Sequence, residues 1–214
     1  MYVPEAFRLD DADAIAEIAD ANGFALLVTA VGGPPAATHL PMLYETDPAP
    51  YGRLLGHLAA PNPQAAALGR LAETGGEALV VFQGPHGYVS PTWYGDDRQV
   101  PTWNYLAVHA YGVPRLLEDE GEVRALLHRL TARYESSRSR PWTIDMLADG
   151  QMRALMRGIV AFEMPVARLE AKAKLNQNKP EDARRGVVAG LEAEGDPGAD
   201  ALAAWMRRLA LGGA

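Results

Sequence analysis

Three stretches near the start of the chain are rich in apolar residues, the first of them also in β-branched ones, and short turns separate these stretches. Residues 24–31, 36–44 and 53–59 have the pattern of strands, and residues 32–35 and 47–50 have the composition of turns. Strands that are joined by such short turns pair with their neighbours in the antiparallel sense. The pattern therefore predicts an antiparallel meander.

Apolar residues at helical spacing predict helices around these strands. One of them has a clear start, because Asn62 suits an N-cap and Pro63 suits the first helical position. The predicted helices are 10–22, 63–74, 122–134, 149–157, 180–190 and 200–209. Further strands are predicted at 77–83, 105–117 and 159–173, the last as one long strand. Six or so antiparallel strands with surrounding helices indicate the α+β class and a small β-barrel, open or split.

The length of 214 residues and the apolar fraction of 48% suit one domain with a sizeable core, or one domain with an appendage. We expect a barrel domain over residues 1–175. Residues 176–214 are expected to form a C-terminal loop and a helical appendage that packs on the barrel.

A segment rich in aromatic residues, 88–105, is the hardest part of the chain to explain as scaffold. It contains Pro-Thr-Trp twice, ending at Trp93 and Trp103, around a polar turn at 95–99 that includes the carboxylate pair Asp96 and Asp97. Proline fixes its own φ and restricts the residue before it, so the two indoles lie on stiff segments and lose little freedom on binding. Stiff aromatic rings suit a flat, partly polar ligand. The alternative is a hairpin corner whose aromatic rings plug one end of a barrel.

Charge and cysteine content narrow the classes of function. The net charge of −7 argues against a general nucleic-acid binder, although residues 168–185 hold six basic residues against three acidic ones. The chain has no cysteine, which excludes disulfides, thiolate metal sites and cysteine nucleophiles. Neither a signal peptide nor an apolar run long enough to span a membrane is evident in the sequence. We therefore expect a soluble cytoplasmic protein without membrane contact.

Two histidines, His39 and His57, lie on neighbouring predicted strands. They suit contact with a ligand, general-base chemistry or a structural role. A metal site would need a third ligand, and His86, in a predicted glycine-rich turn, lacks matching spacing, so no metal site is predicted. No serine lies in a nucleophile elbow, and no catalytic residue is predicted. The helix start at Asn62 offers free N–H groups to a phosphate, or is an ordinary cap.

Several motifs together resemble the PaiB-type proteins of the FMN-binding split-barrel family, which are described as negative transcriptional regulators. The resemblance extends from the first residue to about residue 190. The motifs are Met-Tyr-Val-Pro at 1–4, Ala-Thr-His-Leu-Pro at 37–41, Gly-His at 56–57 with Asn-Pro-Gln at 62–64, Val-Phe-Gln-Gly-Pro-His at 81–86, Tyr-Val-Ser-Pro-Thr-Trp-Tyr at 88–94, Val-Pro-Thr-Trp-Asn-Tyr at 100–105, and Lys-Leu-Asn-Gln-Asn-Lys at 174–179.

The resemblance implies an antiparallel split-barrel homodimer with FMN in the cleft between subunits. The flavin-facing candidates that it implies are Thr38, His39, His57, Asn62, Gln64, Trp103 and Asn104. Residues 59–62 read Ala-Ala-Pro-Asn, where many split barrels place arginine or lysine for the phosphate. We therefore expect Lys174 or Lys179 to supply that charge, in one subunit or from its partner; the alternative is weak FMN affinity.

Three functions are compatible with this resemblance. The first is a transcriptional regulator that acts through a ligand or a partner protein, because the acidic charge and the lack of a helix-turn-helix signature make direct DNA recognition doubtful. The second is a flavin-dependent oxidoreductase. The third is haem binding through His39 or His57, since related split barrels bind haem. Whether the chain turns over a substrate is left open.

Overall fold

The structure is a computed structural model that describes residues 1–96 and 98–212. Asp97 of the predicted polar turn and residues 213–214 of the predicted appendage lie outside the described residues. The helices are α1 Ala12–Ala21, α2 Pro63–Thr74, α3 Glu120–Glu135, α4 Asp149–Met156, α5 Glu181–Ala193 and α6 Pro197–Ala210. The strands are β1 Phe24–Thr29, β2 Ala36–Glu45, β3 Arg53–Ala59, β4 Ala78–Val89, β5 Thr102–Gly112, β6 Arg115–Leu117, β7 Ile159–Pro165 and β8 Arg168–Lys174.

The eight described strands form one antiparallel sheet in the order β6-β7-β3-β2-β1-β4-β5-β8. The order has two ends, β6 and β8, so the described sheet does not close into a ring. The predicted meander of β1, β2 and β3 is confirmed, because β2 pairs antiparallel with both of its neighbours. Helices and an antiparallel sheet together confirm the predicted α+β class.

Strand β2 changes its pairing partner along its length. Its first half, Ala36–Pro41, pairs with β1, and its second half, Met42–Glu45, pairs with β3. Pro41 lies at the change and has no N–H to donate to a neighbouring strand. The end of β3, from His57 to Ala59, pairs with β7 on its other edge. Within the described strands, the sheet is therefore unpaired between the first half of β2 and the end of β3, and we call this gap the β2–β3 opening.

The chain divides into two compact units. Unit 1 comprises Met1–Ala21, Gln83–Val108 and Glu170–Ala214, and unit 2 comprises Asn22–Phe82 and His109–Leu169. The sequence-based division after residue 175 stays a prediction.

Unit 2 is built around the packing of α3 on its strands. Asp119 caps α3 by accepting a hydrogen bond from Glu122 N at 3.0 Å. The helix then buries an apolar stripe against β3, β6 and β7. The buried cluster consists of Leu55, Leu117, Val123, Leu126, Leu130 and Ala161. Because each large side chain buried there stabilises the fold by about 1.5–3 kcal/mol, this cluster holds the outer face of β3 in place.

Unit 1 places one of the two tryptophans of the aromatic segment against a helix. Residues Pro91–Tyr94 form a short 3-10 helix, which packs on α5. The ring of Trp93 lies directly on Gly190, where any β-carbon would overlap the indole, and its carbonyl lies on Gly186. Trp93 is half-buried and packs within its own unit, and a ligand contact of this indole stays a prediction.

Three strand boundaries differ from the sequence-based predictions. Strand β4 continues through residues 84–87, which were expected to turn, because Gly84 lets β4 approach Leu106 more closely than a larger residue would allow. His86 is thus on a strand and not in a turn. The predicted strand 105–117 breaks before β6, and the predicted strand 159–173 breaks between β7 and β8. At the second break Val166 N donates to Gly52 O at 2.9 Å, which turns the chain.

None of the described helices combines the length and the apolar character needed to cross a membrane.

Candidate functional site

The predicted site residues fall into two groups, one in each unit. Unit 2 holds Thr38, His39, His57, Asn62 and Gln64. Unit 1 holds Trp103, Asn104, Lys174 and Lys179. Each group has its own geometry and is built from different elements.

Gln64 is a buried polar side chain at the start of α2, with 3% of its surface exposed. Its Nε2 lies 3.2 Å from Leu27 O, 3.1 Å from Thr29 Oγ1 and 3.0 Å from Ala36 O. Its Oε1 accepts a hydrogen bond from the Thr38 hydroxyl at 2.5 Å. The amide therefore ties the start of α2 to β1 and β2, and both of its polar atoms are occupied by the protein. Its geometry suits a positioning residue.

Asn62 is the N-cap of α2, as the sequence predicted. Its Oδ1 accepts from Gln64 N at 2.9 Å, and its Nδ2 donates to Thr38 Oγ1 at 3.1 Å. Thr38, Asn62 and Gln64 thus form a closed ring of hydrogen bonds beside the β2–β3 opening. Asn62 Nδ2 carries a second hydrogen that is not used in this ring, and it can donate to a ligand.

Thr38 and His39 point to opposite faces of β2, because successive side chains of a strand alternate. Thr38 lies on the face of the buried Leu40 and bonds to the α2 start. His39 is exposed and stacks on Phe24 of β1, with ring centroids 5.8 Å apart and planes 25° apart. The two predicted contact residues therefore lie on different faces of the strand, although they are adjacent in sequence.

His57 lies on the outer face of β3, at the floor of a cleft of about 340 Å³. Burial lowers the pKa of its imidazole, so the ring is neutral near pH 7. Its Nδ1 is buried and has no hydrogen-bond partner within the described part of the chain. The cleft is lined by Pro41, His57, Leu127, Leu130, Thr131, Tyr134, Glu135 and Trp142. A neutral imidazole with one unused nitrogen can hydrogen-bond to a ligand.

Trp103 in unit 1 is 54% exposed and belongs to an exposed group of aromatic side chains. Its ring centroid lies 6.0 Å from that of Tyr88, edge-on, and 6.4 Å from that of His86. We call His86, Tyr88 and Trp103 the aromatic surface. Exposed aromatic groups of this kind mark a place where a ligand or another protein binds.

Asn104, next along the same strand, points into the interior. None of its surface is exposed, and its Nδ2 lies 3.4 Å from the sulfur of Met206 on α6. Its Oδ1 has no hydrogen-bond partner among the described residues. This position favours a structural role, and a direct contact of Asn104 with flavin stays a prediction that the burial does not favour.

The two lysines of unit 1 are held by neighbouring polar groups. The Lys174 ammonium donates to Thr102 Oγ1 and, at 2.7 Å, to Trp103 O. Burial and then the nearby charge of Lys172 lower the pKa of Lys174. Lys179 donates to Gln99 Oε1 at 2.5 Å and lies 5.4 Å from the centroid of the Tyr94 ring. Beyond these contacts, the Lys174 ammonium has one further hydrogen to donate, and the Lys179 ammonium has two.

Sequence reasoning did not single out Phe24, Tyr134 or Trp142. Phe24 opens a predicted strand, and 68% of its surface is exposed. Tyr134 ends the predicted helix 122–134, and it is 43% exposed at the edge of the His57 cleft. Trp142 lies between two predicted helices. A tryptophan close to two arginines, Arg138 and Arg140, was the signal that the sequence offered for this cleft. The cleft itself is formed by residues that are distant in sequence.

Among the described residues, no cluster of three or more His, Cys, Asp or Glu side chains has the arrangement of a metal site.

Comparison with known proteins adds a sequence relationship to this geometry. Residues 1–168 match the family model described as "Putative FMN-binding domain". The chain is 37% identical over 206 residues to the protease synthase and sporulation protein PAI 2 of Bacillus subtilis strain 168, covering 96% of each chain.

Solved structures show the same fold at low sequence identity. The flavocytochrome Anf3 from Azotobacter vinelandii aligns with a TM-score of 0.57 and 17% identity, covering 80% of this chain and 72% of that one. The FAD and haem binding protein from Mycobacterium smegmatis aligns with a TM-score of 0.58 and 20% identity, covering 86% and 80%. These likenesses confirm the predicted split-barrel fold.

Replacing His57 is expected to remove a pH-dependent part of the stability. Because burial lowers the folded-state pKa from its ordinary value near 6.5, the unfolded chain binds more protons just below that pH. The free energy of unfolding of the wild type should therefore fall as pH decreases through 6.5, and this component should disappear in H57Q. Urea unfolding at pH values on both sides of 6.5 measures it.

The control is H86Q, which replaces an exposed histidine on a strand of unit 1. This variant should keep the wild-type pH dependence of the free energy of unfolding. If H57Q also kept that pH dependence, its assignment to His57 would be contradicted.

Proposed function

The chain belongs to the FMN-binding family that its motifs predicted, and from that membership we propose that it binds FMN at the β2–β3 opening. The observation that carries this proposal is the hydrogen-bonded ring of Thr38, Asn62 and Gln64 at the border of an unpaired stretch of sheet. Unpaired strand edges leave N–H and C=O groups available to a ligand, and the ring holds two polar side chains beside them.

The residues around the opening fit the parts of FMN. The planar isoalloxazine needs flat neighbours, and the stacked pair of His39 and Phe24 offers them. The ribityl hydroxyls need donors and acceptors, which Thr38, Asn62 and the unused Nδ1 of His57 provide. An unpartnered buried nitrogen is unfavourable unless a ligand or water bonds to it, so His57 supports a ligand here.

The phosphate needs positive charge, and none of the five unit 2 residues is a lysine or an arginine. The N–H of Gln64 already bonds to Asn62, so the helix start alone offers little to an anion. We propose that Lys174 or Lys179 supplies this charge. In a homodimer these lysines can come from either protomer.

Bound FMN would supply one-electron and two-electron transfer, while the chain supplies binding and orientation. We propose that the chain acts as a regulatory protein that senses flavin or a related ligand. The relative in Bacillus subtilis carries a name linked to protease synthesis and sporulation, which supports a regulatory role. The net charge of −7 supports action through a partner protein over direct DNA contact.

A flavin-dependent oxidoreductase is the second candidate. It is supported by a cleft beside the opening that is large enough for a second reactant. The reduction of bound flavin by NADH or NADPH, followed by the flavin absorbance, distinguishes the oxidoreductase from the regulatory protein. Steady turnover favours the oxidoreductase, and binding without turnover favours the regulator.

Haem is the alternative cofactor, and His57 favours it because a neutral imidazole nitrogen without a partner can coordinate iron. Two proteins that share the fold are named as a flavocytochrome and as an FAD and haem binding protein. A Soret band that appears on adding haemin to wild type and is lost in H57Q would support haem. Its absence would remove this alternative.

We also propose the homodimer and the cytoplasmic location that were expected from the sequence. The aromatic surface supports a homodimer, because side chains such as Trp103 bury apolar area most effectively when another chain covers them.

N62D should weaken FMN binding by about tenfold or more, because it replaces an amide donor to the ribityl hydroxyls by a negative charge, which also repels the anionic ligand. Aspartate keeps the N-cap, so stability should change little. Quenching of flavin fluorescence gives the dissociation constant, expected near micromolar for wild type.

The matched control is S139D, which adds the same charge at an exposed loop position of unit 2, away from all the proposed site residues in sequence. Equal losses in both variants, or no FMN binding by wild type at millimolar concentration, would rule out the proposed site.

W103A should weaken self-association by about tenfold or more, because exposed tryptophans often anchor interfaces. Sedimentation equilibrium measures the effect. W142A removes a tryptophan of similar exposure, 42%, from unit 2 and should have little influence. A wild type that stays monomeric at all concentrations would contradict the homodimer.

A further inference from the structure

A second cleft, of about 480 Å³, lies within unit 2 between β6, the start of β7, and the helices α3 and α4. None of its lining residues belongs to the two groups of predicted site residues. Its apolar floor includes three members of the buried cluster, Leu117, Val123 and Ala161, with Met156 and Ile159 beside them. The volume is within the range of about 300–1,000 Å³ that holds small molecules.

Two arginines line one side of this cleft without a partner. Arg153 and Arg157 lie one helical turn apart on α4 and at its C-cap, so their side chains share a face. Neither guanidinium makes an ion pair or a hydrogen bond with any described residue. Arg115 and Arg124 in the same unit are both paired with carboxylates. The two free guanidiniums are thus available to an anion.

Two glutamates line the same cleft from other elements. Glu118 precedes α3, and Glu120 is its first residue. Both side chains are exposed, and neither forms an ion pair among the described residues. Opposite charges that line one cleft without pairing with each other are complementary to an occupant that carries both charges. A simple carboxylic acid would leave the glutamates unpaired, and a simple amine would leave the arginines unpaired.

We propose that this cleft binds a short apolar peptide of two or three residues. The C-terminal carboxylate binds Arg153 and Arg157, and the N-terminal ammonium binds Glu118 and Glu120. The apolar side chains pack on the floor, where the hydrophobic effect favours them. A single amino acid carries its two charges on adjacent atoms, and a peptide separates them along an apolar stretch. The peptide is therefore the better match to a cleft with charges on separate elements.

Calorimetric titration of the full chain with the tripeptide leucyl-alanyl-leucine tests the proposal. We expect a dissociation constant of about 10–100 μM. N-acetylation or C-amidation of the peptide should each weaken binding by about fivefold or more, since each removes one charge contact. The titration is run without flavin, so its outcome does not depend on FMN binding.

Variants assign each peptide end to its partners. In R153A/R157A, C-amidation should no longer matter, and in E118Q/E120Q, N-acetylation should no longer matter. R138A/R140A removes two exposed arginines from the loop after α3, outside the cleft, and should bind like wild type. Thermal unfolding checks that all three variants fold.

Three results would overturn the proposal. The first is no heat of binding at millimolar peptide. The second is equal affinity for free and capped peptides. The third is an equal loss of peptide affinity in R153A/R157A and in R138A/R140A.

Discussion

The buried amide of Gln64 is the interaction on which the proposed flavin site depends. It joins the start of α2 to β1 and β2, because its two side-chain polar atoms contact Leu27 of β1 and Ala36 and Thr38 of β2. A buried amide that loses its partners costs roughly 1–3 kcal/mol, so the three elements stay together. Thr38 is held by this side chain, and Asn62 is held by the backbone N–H of Gln64 and by Thr38. Their hydroxyl and amide groups are therefore presented in fixed positions.

The second constraint is the change of pairing partner in β2. Up to Pro41 the strand pairs with β1, and from Met42 it pairs with β3. A proline at the change removes the N–H that continued pairing would use. The α2 start lies beside the resulting opening because β3 leads directly into it. An unpaired edge and a fixed polar ring thus occur together, and both follow from the local sequence around residues 36–64.

Much of this fold was predictable, and the failures have identifiable physical causes. The cap at Asn62 and the meander were predicted because they depend on residues close in sequence. The continuation of β4 through Gly84 was missed, because close approach to Leu106 is a long-range contact that overrides the usual preference of glycine for turns. The turn at Val166 was missed for a similar reason, since its N–H bonds to Gly52.

The candidate site was only partly predictable. Thr38 and Asn62 were identified and lie together. Gln64 was identified too, but its burial was not expected, because glutamine is mostly exposed. The aromatic repeat suggested equal roles for its two indoles, and yet Trp93 packs on Gly190 while Trp103 is exposed. Spacing along the chain does not reveal which of two similar motifs meets a helix.

Amide chemical shifts of isotopically labelled protein, recorded during titration with FMN, locate the flavin on the chain. We expect the largest changes at the β2–β3 opening, in residues 36–40 and 57–64. Changes confined to other parts of the chain, with these two stretches unaffected at saturating FMN, would contradict it.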